Sequence, residues 1–306
     1  MRILKSYPQA RDNTVKIGIV PVNIGITDAE QMVGLAQLAE AHGVESVWTF
    51  EHVIVPLDYQ SKYPYSPNGK MGVTPETPLV DPLIALTLIA AHTKTLRLGT
   101  GVNILSQSNP LYMAKQAASL DMLSRGRLML GLGIGWLREE FIAMGVPFER
   151  RGARFDDYVV AMRKVWSGDV VEHNSAFVNW QGFKSYPLPN QTSQTSHKPT
   201  VPVIVGGAKG KIFERIARFG DGWFAPMGSP DELKAALIEL AEACKPVGRD
   251  PASIEITAML PPGANIDAVR RLGDAGAHRL TAMPLMAGGN PADAIKQLGD
   301  TLIAHL

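Results

Sequence analysis

Eight short apolar runs, each followed by a helical pattern, alternate along the chain, and that alternation restricts the fold more than any other feature. The runs are VKIGIV at 15–20, ESVWTF at 45–50, LRLGTGV at 96–102, RLMLGL at 127–132, VPVIVG at 201–206, DGWFA at 221–225, SIEITAML at 253–260 and HRLTAMPL at 278–285. Most are continuous in apolar residues, the pattern of strands covered on both faces. Parallel strands need long crossovers, and the intervening helices supply them. The count predicts an α/β fold, a single (β/α)8 TIM barrel spanning residues 1–306 as one domain.

Local punctuation supports this reading. Thr27 is the expected N-cap of the first helix and Gly43 its end, while Pro82 falls in the first turn of the second. The segment 168–200, with GDVVEHNSAFVNWQGF and NQTSQTSHK, is too long for a plain connection. It reads as an insertion after the fourth strand-helix unit, a hairpin with a mobile flap.

Thirty basic residues against 29 acidic ones leave a net charge of +1, so no nucleic-acid footprint or anionic-membrane surface is expected, and a small molecule is the expected substrate. Cys244 is the single cysteine, which excludes an internal disulfide and suits a reducing cytoplasm. Residues 1–13 carry no apolar run of signal-peptide length, and nowhere do eighteen apolar residues follow one another. A cytoplasmic protein that spans no membrane is the expectation. No metal-ligand pattern is singled out.

In a barrel of this kind the C-terminal strand ends build the site. The stretch GLGIGW at 131–136 superficially suggests a dinucleotide loop, but Trp136 stands where the third glycine belongs, and the motif follows a fourth strand instead of opening the first unit. Bare backbone at 131–135 is read as room for a flat ring or a phosphate, with tight packing as the alternative. Gly206 and Gly207 end the fifth strand just before a helix whose free N–H groups suit an anion, with Lys209 nearby. TFEHV puts Glu51 and His52 at the end of the second strand, where an imidazole can carry a proton near neutral pH. GTGVN ends the third. Trp136 is placed in the pocket and Trp48 in packing. Glu139 and Glu140 read as helix-start charges, and Arg150, Arg151 and Arg154 as a solvated helix start.

Four longer stretches, AEAHGVESVWTFEHV, the run TKTLRLGTGVN through GWLREEF, ERRGARFDDY, and VPVIVGGAKGKIFERIARFGDGWF, resemble the bacterial luciferase-like monooxygenase superfamily. Within it the chain is most similar to the branch of coenzyme F-420-dependent oxidoreductases, which carry GRLxLGxGxGWxxxE in this form. The resemblance implies a deazaflavin ring over the ends of strands two, three and four. His52 then faces the reactive centre with Glu51 tuning it, Gly101 and Val102 form a bulge behind the ring with Asn103 beside it, and Gly133, Gly135 and Trp136 flank it. Gly206, Gly207 and Ala208 meet the phosphate. The strand-three bulge is expected to hold a non-prolyl cis peptide at Gly101–Val102. The implied reaction is hydride transfer between reduced F-420 and a small organic substrate held by the loops 54–79 and 168–200. The alternatives are an FMN-dependent two-component monooxygenase using oxygen, with a flavin reductase as partner, and a non-catalytic flavin-binding homologue. Luciferase has an arginine where this chain has Ile134, so that FMN-phosphate contact does not carry over, which favours the deazaflavin. A homodimer is also implied.

Overall fold

β-branched and aromatic residues crowd the eight apolar runs, and each forms a strand. The computed structural model describes residues 14–193, 197–286 and 288–306. The strands are β1 Lys16–Ile19, β2 Ser46–Thr49, β3 Arg97–Thr100, β4 Leu128–Gly133, β5 Val203–Gly206, β6 Gly222–Ala225, β7 Glu255–Met259 and β8 Arg279–Ala282. Every pairing around the ring is parallel, β1 joins β8, and β3 joins β4, so the sheet closes into an eight-stranded barrel. A break follows Thr100, after which Asn103–Ile104 resumes the edge and pairs with the end of β4.

The helices outside the ring are α1 Ala29–Ala41, α2 Pro82–His92, α3 Pro110–Leu123, α4 Arg138–Ala143, α5 Arg151–Trp166, α6 Ile212–Phe219, α7 Pro230–Cys244, α8 Ile266–Asp274 and α9 Pro291–Thr301. Asp28, not Thr27, caps α1. The helix starts one residue later than the sequence suggests, and the extended backbone of Asp28 lets its carboxylate accept the Gln31 N–H at 2.7 Å. Within 168–200, Val171–Asn174 and Asn179–Phe183 form an antiparallel hairpin apart from the barrel sheet. The leader reading at 1–13 and the flap residues 194–196 lie outside the described residues. Among the described residues no helix is long and apolar enough to cross a membrane. Cys244 is a buried free thiol.

Two apolar layers hold the barrel. One lies between strands and helices. The other fills the ring with Val20, Trp48, Met129, Ile204 and Phe224. Trp48 and Phe224 meet with ring centroids 5.2 Å apart, and Trp48 occupies space that a side chain at Gly99 would need, 2.2 Å from a Cβ there.

Beneath Trp48 the N-terminal end of the ring is closed by charge. Arg279, at the start of β8, is fully buried. It donates to Glu45 at 2.6 and 2.8 Å, to Glu255 at 2.8 Å and to the Thr257 hydroxyl at 3.1 Å. Burial alone raises the two carboxyls, and the Arg279 guanidinium overrides it, holding both below the usual range. At the opposite end β2 to β5 terminate.

Replacing Arg279 with methionine strands two half-buried carboxylates. A loss of about 3–5 kcal/mol in unfolding free energy is expected, measured by urea titration. A loss below 1 kcal/mol, roughly that of a surface pair, contradicts the assignment of this cluster as the barrel's closure.

Candidate active site

The site begins where the chain leaves β2. Asn23 fixes that exit: its amide donates to the Phe50 and Val80 carbonyls at 2.8 and 2.7 Å and accepts the Phe50 N–H at 3.0 Å. The next two side chains reach different partners. Glu51 accepts the Asn103 amide at 2.9 Å and the backbone N–H of Ile104, so it holds the segment just past the break in β3. His52 turns toward α4, its Nδ1 lying 3.0 Å from Glu140 Oε2. The imidazole is 13% exposed and the Glu140 side chain fully buried. The second Glu140 oxygen accepts the Val53 N–H at 2.5 Å.

The helix-start reading of Glu139 and Glu140 is therefore corrected. α4 follows β4 so closely that its first turn faces the end of β2 instead of water. Glu140 lies beside the buried Leu137 and Phe141, and that apolar flank is the signal that distinguishes it from a surface acid. Glu139 accepts the N–H groups of Gln60 and Ser61 at 2.8 and 3.2 Å, gripping the loop 54–79. Arg154 is likewise not a solvated helix start. It is 5% exposed and its guanidinium braces the carbonyls of Ser106, Pro147 and Glu149.

The Gly101–Val102 peptide is cis, as the sequence resemblance leads one to expect. Around it, the glycines make way for the protein's own atoms. A Cβ on Gly131 would stand 1.6 Å from the Thr100 carbonyl oxygen, one on Gly133 2.6 Å from a Val102 methyl, and one on Gly206 2.5 Å from the other. Gly135 has φ +73°, a conformation costly for other residues, and a Cβ there would stand 2.7 Å from Ile104 and from Phe141. Of the two readings of these glycines, tight packing describes 131, 133 and 135. Val102, seated between Gly133 and Gly206, and Phe224, which lies 3.0 Å from a Cβ on Gly101, give the mouth an apolar floor. Gly207 differs: φ is +125°, and a Cβ there would meet the Ile212 side chain at 3.5 Å and the Tyr65 hydroxyl at 3.6 Å without a clash.

One wall of the mouth is aromatic. Trp136 meets His52 edge-on at 5.7 Å, and Tyr59 and Tyr63 from the loop 54–79 pack on Trp136 at 5.8 and 5.2 Å. Tyr65 leans on Tyr63 at 5.5 Å. None of these tyrosines stands out in the sequence, because a loop carries no periodicity from which a contact can be read.

Every residue named from the sequence, His52, Glu51, Gly101, Val102, Asn103, Gly133, Gly135, Trp136, Gly206, Gly207 and Ala208, lies at the C-terminal ends of β2 to β5. Two have unmet or unusual chemistry. Asn103 Oδ1 is buried without a donor. Burial pushes the Glu51 carboxyl up to about 7 despite the Ile104 and Asn103 donors, and the nearby Glu140 adds to the rise.

The family described as luciferase-like monooxygenase matches residues 11–303. An uncharacterized protein of Mycobacterium tuberculosis is 32% identical over 82% of this chain and 84% of its own length. The F420-dependent glucose-6-phosphate dehydrogenase of Gordonia bronchialis is 30% identical over 67% of this chain and 55% of its own. In structure, the coenzyme F420-dependent tetrahydromethanopterin reductase of Methanopyrus kandleri superposes with a TM-score of 0.72 at 17% identity, covering 95% of this chain and 99% of that one.

Because Glu51 binds its proton more tightly folded than unfolded, the stability it contributes is full below about pH 4.5 and is lost as pH rises through about 7. Melting temperature across that window should fall in the wild type and fall less in Glu51→Gln, whatever the variant's absolute stability. Equal slopes in the two proteins refute the raised carboxyl.

Proposed function

The chain belongs to the luciferase-like monooxygenase family, and on that premise we propose that it transfers a hydride between reduced coenzyme F-420 and a small organic substrate held at the barrel mouth. The observation that carries this reading is the pairing of His52 with the buried Glu140 beside an apolar floor. A relative named for F420 dependence and the absence of an arginine at Ile134 support the deazaflavin over FMN.

The residues fit such a group. Asn103 Oδ1, an acceptor with no donor, suits a ring N–H at the bulge. The turn Gly206–Ala208, ahead of α6, is where the family resemblance places a phosphate. Val102 and Phe224 lie beneath, and Trp136 stands at the side.

When bound, the reduced ring supplies a hydride. The protein's part is proton management and positioning. Glu140 accepts from His52 Nδ1, which fixes the tautomer and leaves Nε2 as the atom that gives or takes the substrate's proton. Glu51 acts at one remove: by accepting from Asn103 and Ile104 it sets the position of the bulge. Glu139 holds the loop 54–79 in place, so that Tyr59 and Tyr63 limit the water around Trp136 and His52.

Titration with F-420 and with FMN, read by ring absorbance, is expected to show tighter binding of F-420. The competing FMN-dependent monooxygenase, suggested by the family's description, is expected to consume oxygen with reduced FMN and to give no anaerobic turnover with reduced F-420. Replacing His52 with alanine should lower turnover by ~10²-fold or more, and unchanged turnover removes it from the chemistry.

A further inference from the structure

A cavity of about 450 Å³ lies outside the barrel, against the hairpin of residues 171–183. Its size falls within the range of ~300–1,000 Å³ usual for small-molecule sites. Phe177, Val178 and Trp180 of the hairpin line it, together with Tyr158 of α5 and with Met144 and Val146 just beyond α4. No residue of the barrel mouth takes part, and no lining residue carries a charge. One carboxylate fixes the hairpin to α5: Asp157 Oδ1 lies 2.8 Å from His173 Nε2, and Oδ2 accepts the Ser175 hydroxyl at 2.8 Å. The aromatic wall is therefore held in place by side chains on both elements.

Gln107 also lines the cavity, and it gives the site its chemistry. It ends the short 3-10 turn Leu105–Gln107, which follows the bulge and Asn103. Its neighbours commit their polar groups to the backbone. The Ser108 hydroxyl donates to the Ile104 carbonyl at 3.2 Å, and the Asn109 side chain accepts the Leu111 and Tyr112 N–H groups at 2.9 and 3.2 Å. Gln107 does not. It is 3% exposed, and neither its Nε2 nor its Oε1 has a hydrogen-bond partner. Folded proteins pair nearly all such atoms, because a buried donor or acceptor without a partner loses its hydration for no return. A leucine of similar size would avoid that cost, so the amide is accounted for by an occupant of the cavity that pairs with it. No hydrogen bond holds the amide, and it turns toward an occupant without breaking one.

An amide sets N–H donors beside a carbonyl acceptor in one plane. The edge that matches it carries an acceptor and a donor side by side, as a lactam or a primary carboxamide does. A charged ligand finds no counter-charge among the lining residues, and the aromatic rings favour a flat body. We propose that this cavity is a second binding site, separate from the barrel mouth, for a flat neutral molecule with an amide-type edge, which the Gln107 amide recognises by one donated and one accepted hydrogen bond. The proposal does not depend on the cofactor reading above.

The test is calorimetric titration of the wild type and of Gln107→Leu with two probes: 2-quinolone, a flat neutral lactam, and quinoline, the same fused rings without the lactam N–H and carbonyl. The wild type is expected to bind 2-quinolone saturably. The variant should bind it about tenfold more weakly or worse, the loss of a pair of hydrogen bonds, with its affinity for quinoline unchanged. The variant should also unfold at the same urea concentration as the wild type or at a higher one, since leucine removes an unpaired polar group and leaves no partner stranded. Equal affinity of both proteins for 2-quinolone puts the probe elsewhere and overturns the proposal. A wild type that binds no 2-quinolone overturns it, as does a parallel loss of both probes. A lower urea midpoint in the variant makes the amide a structural group and overturns it as well.

Discussion

A buried carboxylate organises this molecule's open end. Glu140 has no exposed side-chain surface, so its charge is tolerable only while donors surround it. His52 Nδ1 and the Val53 N–H are those donors, and both belong to the segment leaving β2. The pairing joins the second and fourth strand-helix units across the end of β3. It also holds the imidazole in one orientation. Glu139, next in the chain, ties the loop above in the same way through two backbone N–H groups.

The mouth is possible because the other end is full. Arg279 ties Glu45 and Glu255 together under Trp48, and Trp48, Phe224 and Met129 fill the ring above them. Above them, Phe224 and Val102 lie at the mouth. The glycines of β4 and β5 serve this arrangement indirectly. They let Thr100, Val102 and Ile104 approach neighbouring strands closely enough to close the ring across the break in β3. The apolar floor of Val102 and Phe224 is the result of that close approach.

Much of the site is legible before any coordinates. His52, Glu51, the bulge at Gly101–Val102 and the turn at Gly206–Ala208 all follow a strand directly, and in a parallel barrel a position just past a strand is a position at the mouth. The N-cap of α1 is misplaced by one residue, because Thr27 and Asp28 are both good caps and only the backbone angles separate them. Glu140 and the tyrosines at 59, 63 and 65 are a different kind of omission. An acid in the first turn of a helix is usually solvated, and a tyrosine in a long loop has no periodicity to say what it touches.

What the sequence by itself determined is everything set by local geometry: eight strands, their helices, the parallel closure, and which short segments end at the mouth, since two- and 3.6-residue periods are properties of neighbouring residues. Only the tertiary structure decided that residues 88 apart in the chain, His52 and Glu140, share a proton-bearing contact. The same holds for Val102 between two distant glycines. Contacts of that kind depend on how a helix or loop docks against a strand end, and docking is fixed by the shape of the whole ring, which no local pattern encodes.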